Sequence, residues 1–135
     1  MQQIASDLLD PARAGVEIVE THVSSLVFVD ELVHKRKKHV KFAFVDQSTA
    51  ERREELRRRE VELNRRFSPD VYLGVEEIVD RAGHTVDHAV LMRRMPAARR
   101  LATLVRHDHD VSRCLRAVAE IVAMHHAAPK QRDHE

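Results

Sequence analysis

The stretch from Val27 to Lys41, VFVDELVHKRKKHVK, constrains the fold of this chain more than any other. A run rich in β-branched residues is followed by two acidic residues, and then by a strand-like segment that ends in a cluster of basic residues. This pattern predicts two strands joined by a polar turn. A period of two places Val33, Lys35 and Lys37 on one face of the second strand.

A long helix is predicted shortly after this hairpin. The residues STAE at positions 48–51 have the form of a capping box with the serine as the cap, and the proline at position 69 ends the helix near Phe67. Oppositely charged residues four positions apart indicate a solvated face: Glu54 with Arg58, Glu55 with Arg59, and Glu62 with Arg66.

The apolar stripe of this helix contains one carboxylate. Leu56, Leu63 and Phe67 recur at helical spacing, and Glu60 falls on the same face. A carboxylate in that position needs a cationic partner or water, because desolvating an unpaired charge is costly. The stripe therefore predicts that Glu60 either meets a cation or lies next to water.

The same signals predict the remaining elements. These are a short helix over Met1–Leu9, two strands within Val16–Val29, a hairpin of strands Asp70–Asp80 and Thr85–Met95, helical structure over Ala97–Arg106, and a last helix capped by Asp108 or Asp110. The order predicts an α+β fold, with an antiparallel sheet carrying one long helix, followed by a helical extension. We place the first part at residues 1–95 and the extension at residues 96–135.

Composition is that of a globular domain with 43% hydrophobic and 33% charged residues. The single cysteine, Cys114, cannot form an internal disulfide, and its apolar neighbours predict a buried thiol in a reducing cytoplasm. No stretch approaches the roughly 20 apolar residues that span a bilayer, and the amino terminus lacks the pattern of a signal peptide. We therefore expect a cytoplasmic protein that is not inserted in a membrane.

Several spaced blocks, taken in order, resemble one family: ETHVSSLVF, HKRKKHVKFAFVDQST, ERR, EVELNRRFSPDVYLGV, DHAVLMRRMP and MHHAAP. Together they cover Val19 to Pro129. They resemble the amino-terminal part of bacterial aminoglycoside phosphotransferase-related proteins that occur fused to a P-loop ATP-binding domain. That family is similar in fold to the protein kinases and antibiotic kinases, so the resemblance implies a kinase-like small lobe followed by a hinge and the first helices of a large lobe.

The resemblance also implies roles for individual residues. Lys35 would contact the α and β phosphates of ATP, with Lys37 as the alternative, and Glu60 would hold that lysine in place. Val33 would border the adenine. The segment from Met92 to Met95 would be the hinge that offers main-chain groups to the base. Phosphoryl transfer depends on positioning and charge neutralisation, which is why a lysine fixed by a carboxylate suits this site.

The chain departs from the family pattern in its catalytic residues. A kinase-like enzyme needs a catalytic aspartate and a metal-binding aspartate in its large lobe, and the family's His-Gly-Asp motif is absent here. We expect a truncated domain that binds ATP weakly, holds no Mg²⁺ by itself and is inactive alone. Smaller departures are His34, where the family usually has an aromatic residue, His39, where proline is common, and the polar Gln47.

Three other interpretations remain open at this point. A protein-interaction module, which docks a partner chain or self-associates, would use apolar residues such as Leu91 and Met95 that a missing large lobe leaves uncovered. The basic run from Lys35 to Lys41 could bind nucleic acid, although a net charge of +1 argues against a strong electrostatic footprint. The histidines at 107, 109, 125 and 126 could bind a metal ion, although they lack the spacing of a zinc site.

Overall fold

The computed structural model describes residues 2–127 of the 135-residue chain. The chain divides into two compact units, with the boundary between Arg94 and Met95. Residues 128–135, which end the predicted helical extension, lie outside the described residues.

Within residues 2–94 the structure contains eight strands and one α-helix. The strands are β1 (Gln2–Ala5), β2 (Val16–Glu20), β3 (Ser24–Val29), β4 (Leu32–Lys37), β5 (Lys41–Phe42), β6 (Val45–Asp46), β7 (Tyr72–Val79) and β8 (Thr85–Arg93). Helix α1 (Ala50–Arg65) lies between β6 and β7. Six strands form one sheet in the order β1-β7-β8-β4-β3-β2, and β5 pairs with β6 in a separate small hairpin.

The predicted α+β class is confirmed, but the sheet is not wholly antiparallel. Strand β1 pairs with β7 in parallel, from Gln2 opposite Glu76 to Ala5 opposite Val79. The helix predicted over the first nine residues is therefore wrong: this segment is strand β1 followed by a 3-10 helix that ends at Leu9. Its short polar sequence carries little strand signal, and the unpaired backbone groups of the β7 edge supply the partner that makes it a strand.

The predicted hairpin at the centre of the sheet is confirmed. Strands β3 and β4 pair in antiparallel register up to Val29 opposite Leu32. Two residues, Asp30 and Glu31, remain for the turn, and Asp30 adopts a left-handed backbone with φ of 50°. Aspartate tolerates this conformation better than most residues, so the acidic break in the sequence is also the chemistry of the turn.

Strand β7 contains an irregularity near its start. The pairing with β8 shifts between Tyr72 and Gly74, so that one extra residue, Leu73, is accommodated in β7. Gly74 has a φ of +148°, which residues with side chains rarely adopt. The bulge bends the strand between Tyr72 and the paired residues that follow.

One face of the sheet holds the apolar core. Its buried members, Leu9, Val27, Ile78 and Ala89, come from the 3-10 helix and from β3, β7 and β8. The partly buried residues Ile4, Val16, Ile18 and Val29 pack against them. The first segment of the chain thus contributes Leu9 to the core in addition to pairing β1 with the sheet edge.

Helix α1 buries a different face from the one predicted. Leu63 and Phe67 are 42% and 48% exposed, whereas Arg53 and Arg57 are 7% and 1% exposed and Val61 is buried. Arg57 donates to Asp87 on β8 at 2.8 Å, which attaches the helix to the sheet by a charged contact. The predicted apolar stripe is wrong because buried carboxylate and carbonyl acceptors favour the arginine face over the leucine face.

The start of α1 differs from the prediction by one residue. Thr49, and not Ser48, is the capping residue, and its Oγ1 accepts a hydrogen bond from the Arg52 amide at 3.3 Å. The hydroxyl of Ser48 instead donates to Asp46 at 2.6 Å. Both residues are good caps, so the sequence alone does not choose between them.

The second unit is helical where it is described. A 3-10 helix (Ala97–Arg99) precedes α2 (Leu101–Arg106) and α3 (Ser112–Ala127). The Asp110 carboxylate accepts a hydrogen bond at 2.9 Å from the amide of Ser112, the first residue of α3, while Val111 lies directly before the helix, so the predicted cap at Asp108 or Asp110 stays a prediction. Neither α2 nor α3 has a buried residue, and Cys114 is exposed, so the prediction of a buried thiol is wrong. Across residues 2–127, no helix combines the length and apolar character needed to cross a membrane.

Candidate functional site

Strand β4 and helix α1 bring Lys35, Lys37 and Glu60 together. Lys35 Nζ donates to Glu60 Oε1 at 2.5 Å, and Lys37 Nζ donates to Oε2 of the same carboxylate at 2.8 Å. The period of two puts both lysines on the helix side of β4, and Glu60 lies on the third turn of α1. The predicted partner of Glu60 is present, but the carboxylate is shared by two lysines.

The three side chains are largely removed from water. Their exposed fractions are 26% for Lys35, 10% for Lys37 and 14% for Glu60. Burial raises the pKa of Glu60, but the hydrogen bonds and positive charges of the two lysines outweigh this effect and leave the pKa below its usual value. Glu60 is therefore ionised at neutral pH. Two cations face one anion, and the cluster keeps one positive charge in excess.

Tyr72 belongs to the same cluster and was missed by the sequence reasoning. Burial raises the pKa of Tyr72, the charge of Glu60 raises it further, and Lys35 acts in the opposite direction. The phenol thus stays protonated beside the ion pair. Met92 separates it from β4, since Met92 pairs with both Tyr72 and Val33. A usable signal in the sequence was that this is the only tyrosine of the chain.

Val33 and Met92, two of the residues predicted to lie near an adenine base, are on the neighbouring strands β4 and β8. Val33 is 6% exposed, and its register partner Met92 is partly buried. In the predicted hinge, the amide of Arg93 donates to the Val71 carbonyl and that of Arg94 to the Glu31 carbonyl, both at 2.8 Å. These two donors are thus occupied by the protein. Met95 is 58% exposed. The proposed roles of Val33, Met92 and Met95 stay predictions.

A buried glutamine fixes the geometry around Lys37. Gln47 is 2% exposed, and its side-chain amide donates to the carbonyls of Val23 and Lys38, each at 2.9 Å. The carbonyl of Gln47 accepts from Arg53 of α1 at 2.9 Å. One residue therefore connects the turn before β3, the end of β4 and the first part of α1. The polar residue at position 47 therefore has a structural role in this chain.

The opposite face of β4 carries a buried contact between a histidine and a carboxylate. His34 and Glu76 have side chains that are 4% and 1% exposed, and His34 Nδ1 lies against Glu76 Oε1 across the intervening strand β8. The other carboxylate oxygen of Glu76 is buried without a hydrogen-bond partner. This pair explains how a histidine is accommodated in a buried position at residue 34.

Every lysine and arginine in the basic run has a carboxylate partner. Besides the two lysines on Glu60, the pairs are Arg36 with Asp87 at 3.3 Å, Lys38 with Glu20 at 2.8 Å, and Lys41 with Asp46 at 3.8 Å. The aromatic rings of Phe42 and Phe44 stack on each other with centroids 5.6 Å apart. These pairings give the run little free charge for nucleic-acid phosphates. Among residues 2–127, no three histidine, cysteine, aspartate or glutamate side chains are grouped as metal ligands.

Comparison with known proteins gives relatives without a described function. The chain is 37% identical over 111 residues to uncharacterized proteins of Mycobacterium tuberculosis, strain H37Rv, and of Mycobacterium bovis. The alignment covers 82% of this chain and 22% of each relative, so the chain spans less than a quarter of their length. No family model and no solved structure matches the chain. The comparison therefore assigns no activity, and any activity of these longer proteins can only be proposed.

Proposed function

We propose that residues 2–94 form a kinase-like small lobe that keeps the phosphate-binding half of an ATP site. The observation that carries this proposal is the 2.5 Å contact between Lys35 on a central strand and Glu60 on the helix that follows it. A lysine held by a carboxylate at low exposure is suited to neutralise phosphate charge without first being ordered by the ligand.

The neighbouring residues suit a nucleotide as well. Lys37 supplies a second cation at the same carboxylate, which leaves a net positive charge for an anionic ligand. Val33 and Met92 form an apolar surface two positions from Lys35, where a base could pack. Tyr72 offers a protonated hydroxyl close to the ion pair. The ligand class we propose is therefore a nucleoside triphosphate whose phosphates bind at Lys35.

The proposal is restricted to binding. Transfer of the γ-phosphoryl group requires a base that accepts the proton of the acceptor hydroxyl and carboxylates that hold Mg²⁺. The sequence contains no His-Gly-Asp motif, and the carboxylate at this site, Glu60, is occupied by two lysines. ATP would bind without being consumed by these residues.

Titration of a non-hydrolysable ATP analogue tests this proposal. Lys35→Met is expected to weaken binding by about tenfold or more, because it removes one charge-assisted contact of a largely desolvated lysine. Lys41→Met is the matched control, since Lys41 belongs to the same basic run but is 72% exposed and 3.8 Å from its partner. Calorimetry of both variants, with circular dichroism to verify folding, gives the comparison. Equal losses in the two variants, or an unchanged titration for Lys35→Met, would contradict the proposal.

A second candidate function is a protein-interaction module. The prediction that Leu91 is uncovered is wrong, because it is 6% exposed in the sheet, while Met95 is 58% exposed as expected. The specific observation in favour of this function lies in α2 and α3, whose apolar side chains are exposed: Leu101, Val105, Leu115, Val118, Ile121, Val122 and Met124. A face of this kind marks a partner surface. Light scattering that shows a monomer over a wide concentration range would count against self-association through it.

A further inference from the structure

A groove lies beside the ion-pair cluster, on the side away from Lys35. Its lining is mostly apolar, with Val23 from the turn before β3, Val45 from β6, and Leu56 and Leu63 from α1. The groove has a volume of about 410 Å³, within the range of roughly 300–1,000 Å³ that is typical of small-molecule sites. The leucines predicted for the helix core are thus partly turned toward this groove.

The walls of the groove are fixed by hydrogen bonds within the protein. Gln47, which contributes to the lining, binds the Val23 carbonyl from its side chain, and its own carbonyl accepts from Arg53 of α1. These bonds hold the β5–β6 hairpin, the turn at Val23 and the helix in one arrangement. Phe44 stacks on Phe42 and covers one side of the groove. A ligand would meet a site formed in advance, which lowers the cost of ordering the protein.

The rim of the groove carries an unpaired cation. Arg59 lines the groove, is exposed, and makes no hydrogen bond or ion pair with any residue in the part of the chain that the structure describes. The i,i+4 pair with Glu55 that the sequence predicts is absent there. Lys37 lines the same groove and has its carboxylate partner Glu60 in common with Lys35. Two cations, Lys37 and Arg59, thus line the groove against the single carboxylate Glu60.

We propose that this groove binds a small amphipathic anion: a carboxylate or phosphate ester whose apolar body lies against Val45, Leu56 and Leu63. Arg59 holds the anionic group at the rim, and Lys37 adds to the positive potential. The groove shares Lys37 and Glu60 with the proposed ATP site, but the phosphate lysine Lys35 does not line it. The inference goes beyond the proposed function, because it rests on Arg59 and the apolar lining and not on Lys35.

Two features favour a small molecule over a polypeptide as the occupant. The groove is lined by the hairpin, the turn at Val23 and the helix, and Lys37 is the one lining residue that comes from the six-stranded sheet. Its polar groups are few and lie around Lys37 and Arg59, which is the arrangement that orients a ligand with one charged end. A cationic or uncharged ligand of the same shape would lose the attraction to these side chains.

Octanoate and octyltrimethylammonium are suitable probes, because they carry the same apolar chain with opposite charges. Titration of the ¹⁵N-labelled chain is expected to shift the amide signals of Val23, Val45 and Leu63 with octanoate only. Shifts of equal size with both probes, or no shift at these residues with either, would overturn the proposal.

Paired variants separate this groove from other apolar surfaces. Arg59→Glu is expected to weaken octanoate binding at least about tenfold, because it replaces an attractive charge by a repulsive one. Arg58→Glu, next to it on α1 and outside the groove, is expected to bind as the parent chain does. Leu63→Glu and Leu73→Glu form a second pair, at 42% and 41% exposure in the parent. Only the first of these two is expected to lose binding.

The remaining outcomes also decide the proposal. Arg59→Glu is expected to leave the ATP-analogue titration unchanged, so failure of the ATP site and failure of the groove give different results. Sedimentation of the parent and of Leu63→Glu tests a second copy of the chain as the occupant. If the parent self-associates, Leu63→Glu does not, and octanoate has no effect, then the groove is an interface between copies and the proposal is wrong.

Discussion

At the scale of single residues, Glu60 determines what the candidate site can do. Two lysine side chains donate to its two carboxylate oxygens, at 2.5 and 2.8 Å, in a setting with little exposure to water. If Glu60 were protonated, both ammonium groups would lose their anionic partner while remaining partly buried. The ionised carboxylate is therefore a condition for the positions of Lys35 and Lys37, and through them for any phosphate site on this face.

A Glu60→Gln variant is expected to be less stable than the parent in a pH-dependent way. The pKa of Glu60 is lowered in the folded chain from a usual value of 4.5, so its contribution is complete above that pH and is lost as the pH falls through the lowered pKa. Near pH 7 we expect a loss of about 2 kcal/mol in the free energy of unfolding. Urea denaturation from pH 7 to pH 3 measures whether the difference from the parent declines below about pH 4.5.

Glu62 provides the control for this measurement. It lies on the same helix, is 72% exposed, and is 3.7 Å from its partner Arg66. Glu62→Gln is expected to have a small effect at every pH, because exposed pairs four residues apart contribute little. A difference for Glu60→Gln that stays constant with pH would show that the carboxylate charge is not what stabilises the pair.

At the scale of elements, helix α1 is attached to the sheet by arginine as much as by apolar contact. Arg57 is 1% exposed, and its side chain donates to Asp87 of β8, which also accepts from Arg36 of β4 at 3.3 Å. Burial lowers the pKa of Arg57, and the charge of Asp87 opposes that effect. Asp87 thus joins two strands and the helix through one carboxylate.

Removal of Asp87 is expected to destabilise the chain strongly. Asp87→Ala would leave the buried Arg57 guanidinium without its anion, which costs about 3–5 kcal/mol in comparable buried pairs. The combined variant Arg57→Met with Asp87→Leu removes both charges, and we expect it to recover most of that loss. A double-mutant cycle by chemical denaturation measures the coupling. If the combined variant were no more stable than Asp87→Ala, loss of packing and not an unpaired charge would be the cause.

At the scale of the whole molecule, the two units differ in how much they bury. The sheet unit has a buried apolar core and a buried ion pair between Arg57 and Asp87, whereas neither helix of the second unit contains a buried residue. A helix of 16 residues without a packed face is only marginally stable in water. The stability of this chain is thus concentrated in the sheet unit, which also holds the candidate site.

Hydrogen exchange is expected to show this difference directly. Amides of β3, β4, β7 and β8 should exchange through global unfolding, while those of α2 and α3 should exchange by local opening many-fold faster. Mass spectrometry after deuterium labelling measures both regions in one experiment. Strong protection in α3 at low protein concentration would show that its apolar face is covered. Protection that grows with concentration would support the interaction function.

Local patterns predicted much of the fold. The alternation of Val33, Lys35 and Lys37 gave the face of β4, and the charged spacing and proline at position 69 gave the extent of α1 to within a few residues. Each of these inferences uses information within one element and its neighbours in sequence. The stripe indicated only that Glu60 needs a cation or water, and Lys35 was expected as its partner from the resemblance to a kinase-like family.

The features that were missed depend on distant parts of the chain. The buried face of the helix could be predicted only by assuming that leucine is buried and arginine exposed. Arg57 is buried instead, because it pairs with Asp87, a residue 30 positions away in sequence that the local pattern does not include. The strand at the start of the chain depends on pairing with β7, in which Gln2 lies opposite Glu76, a residue 74 positions later in the sequence. Gln47 and Tyr72 likewise acquire their roles from partners that no local pattern specifies.

The parallel strand β1 also affects the tendency of the folded chain to aggregate through the edge of its sheet. It covers β7 from Glu76 to Val79, half of the eight-residue strand, and becomes the edge of the sheet there. With only four residues, β1 is a short edge, which limits pairing with strands of other molecules. The other half of β7, which begins at Tyr72, contains the bulge at Gly74, and an irregular edge is a poor template for strand addition. One edge of the sheet thus disfavours aggregation in two ways, by the shortness of its outer strand and by an irregularity in the next one.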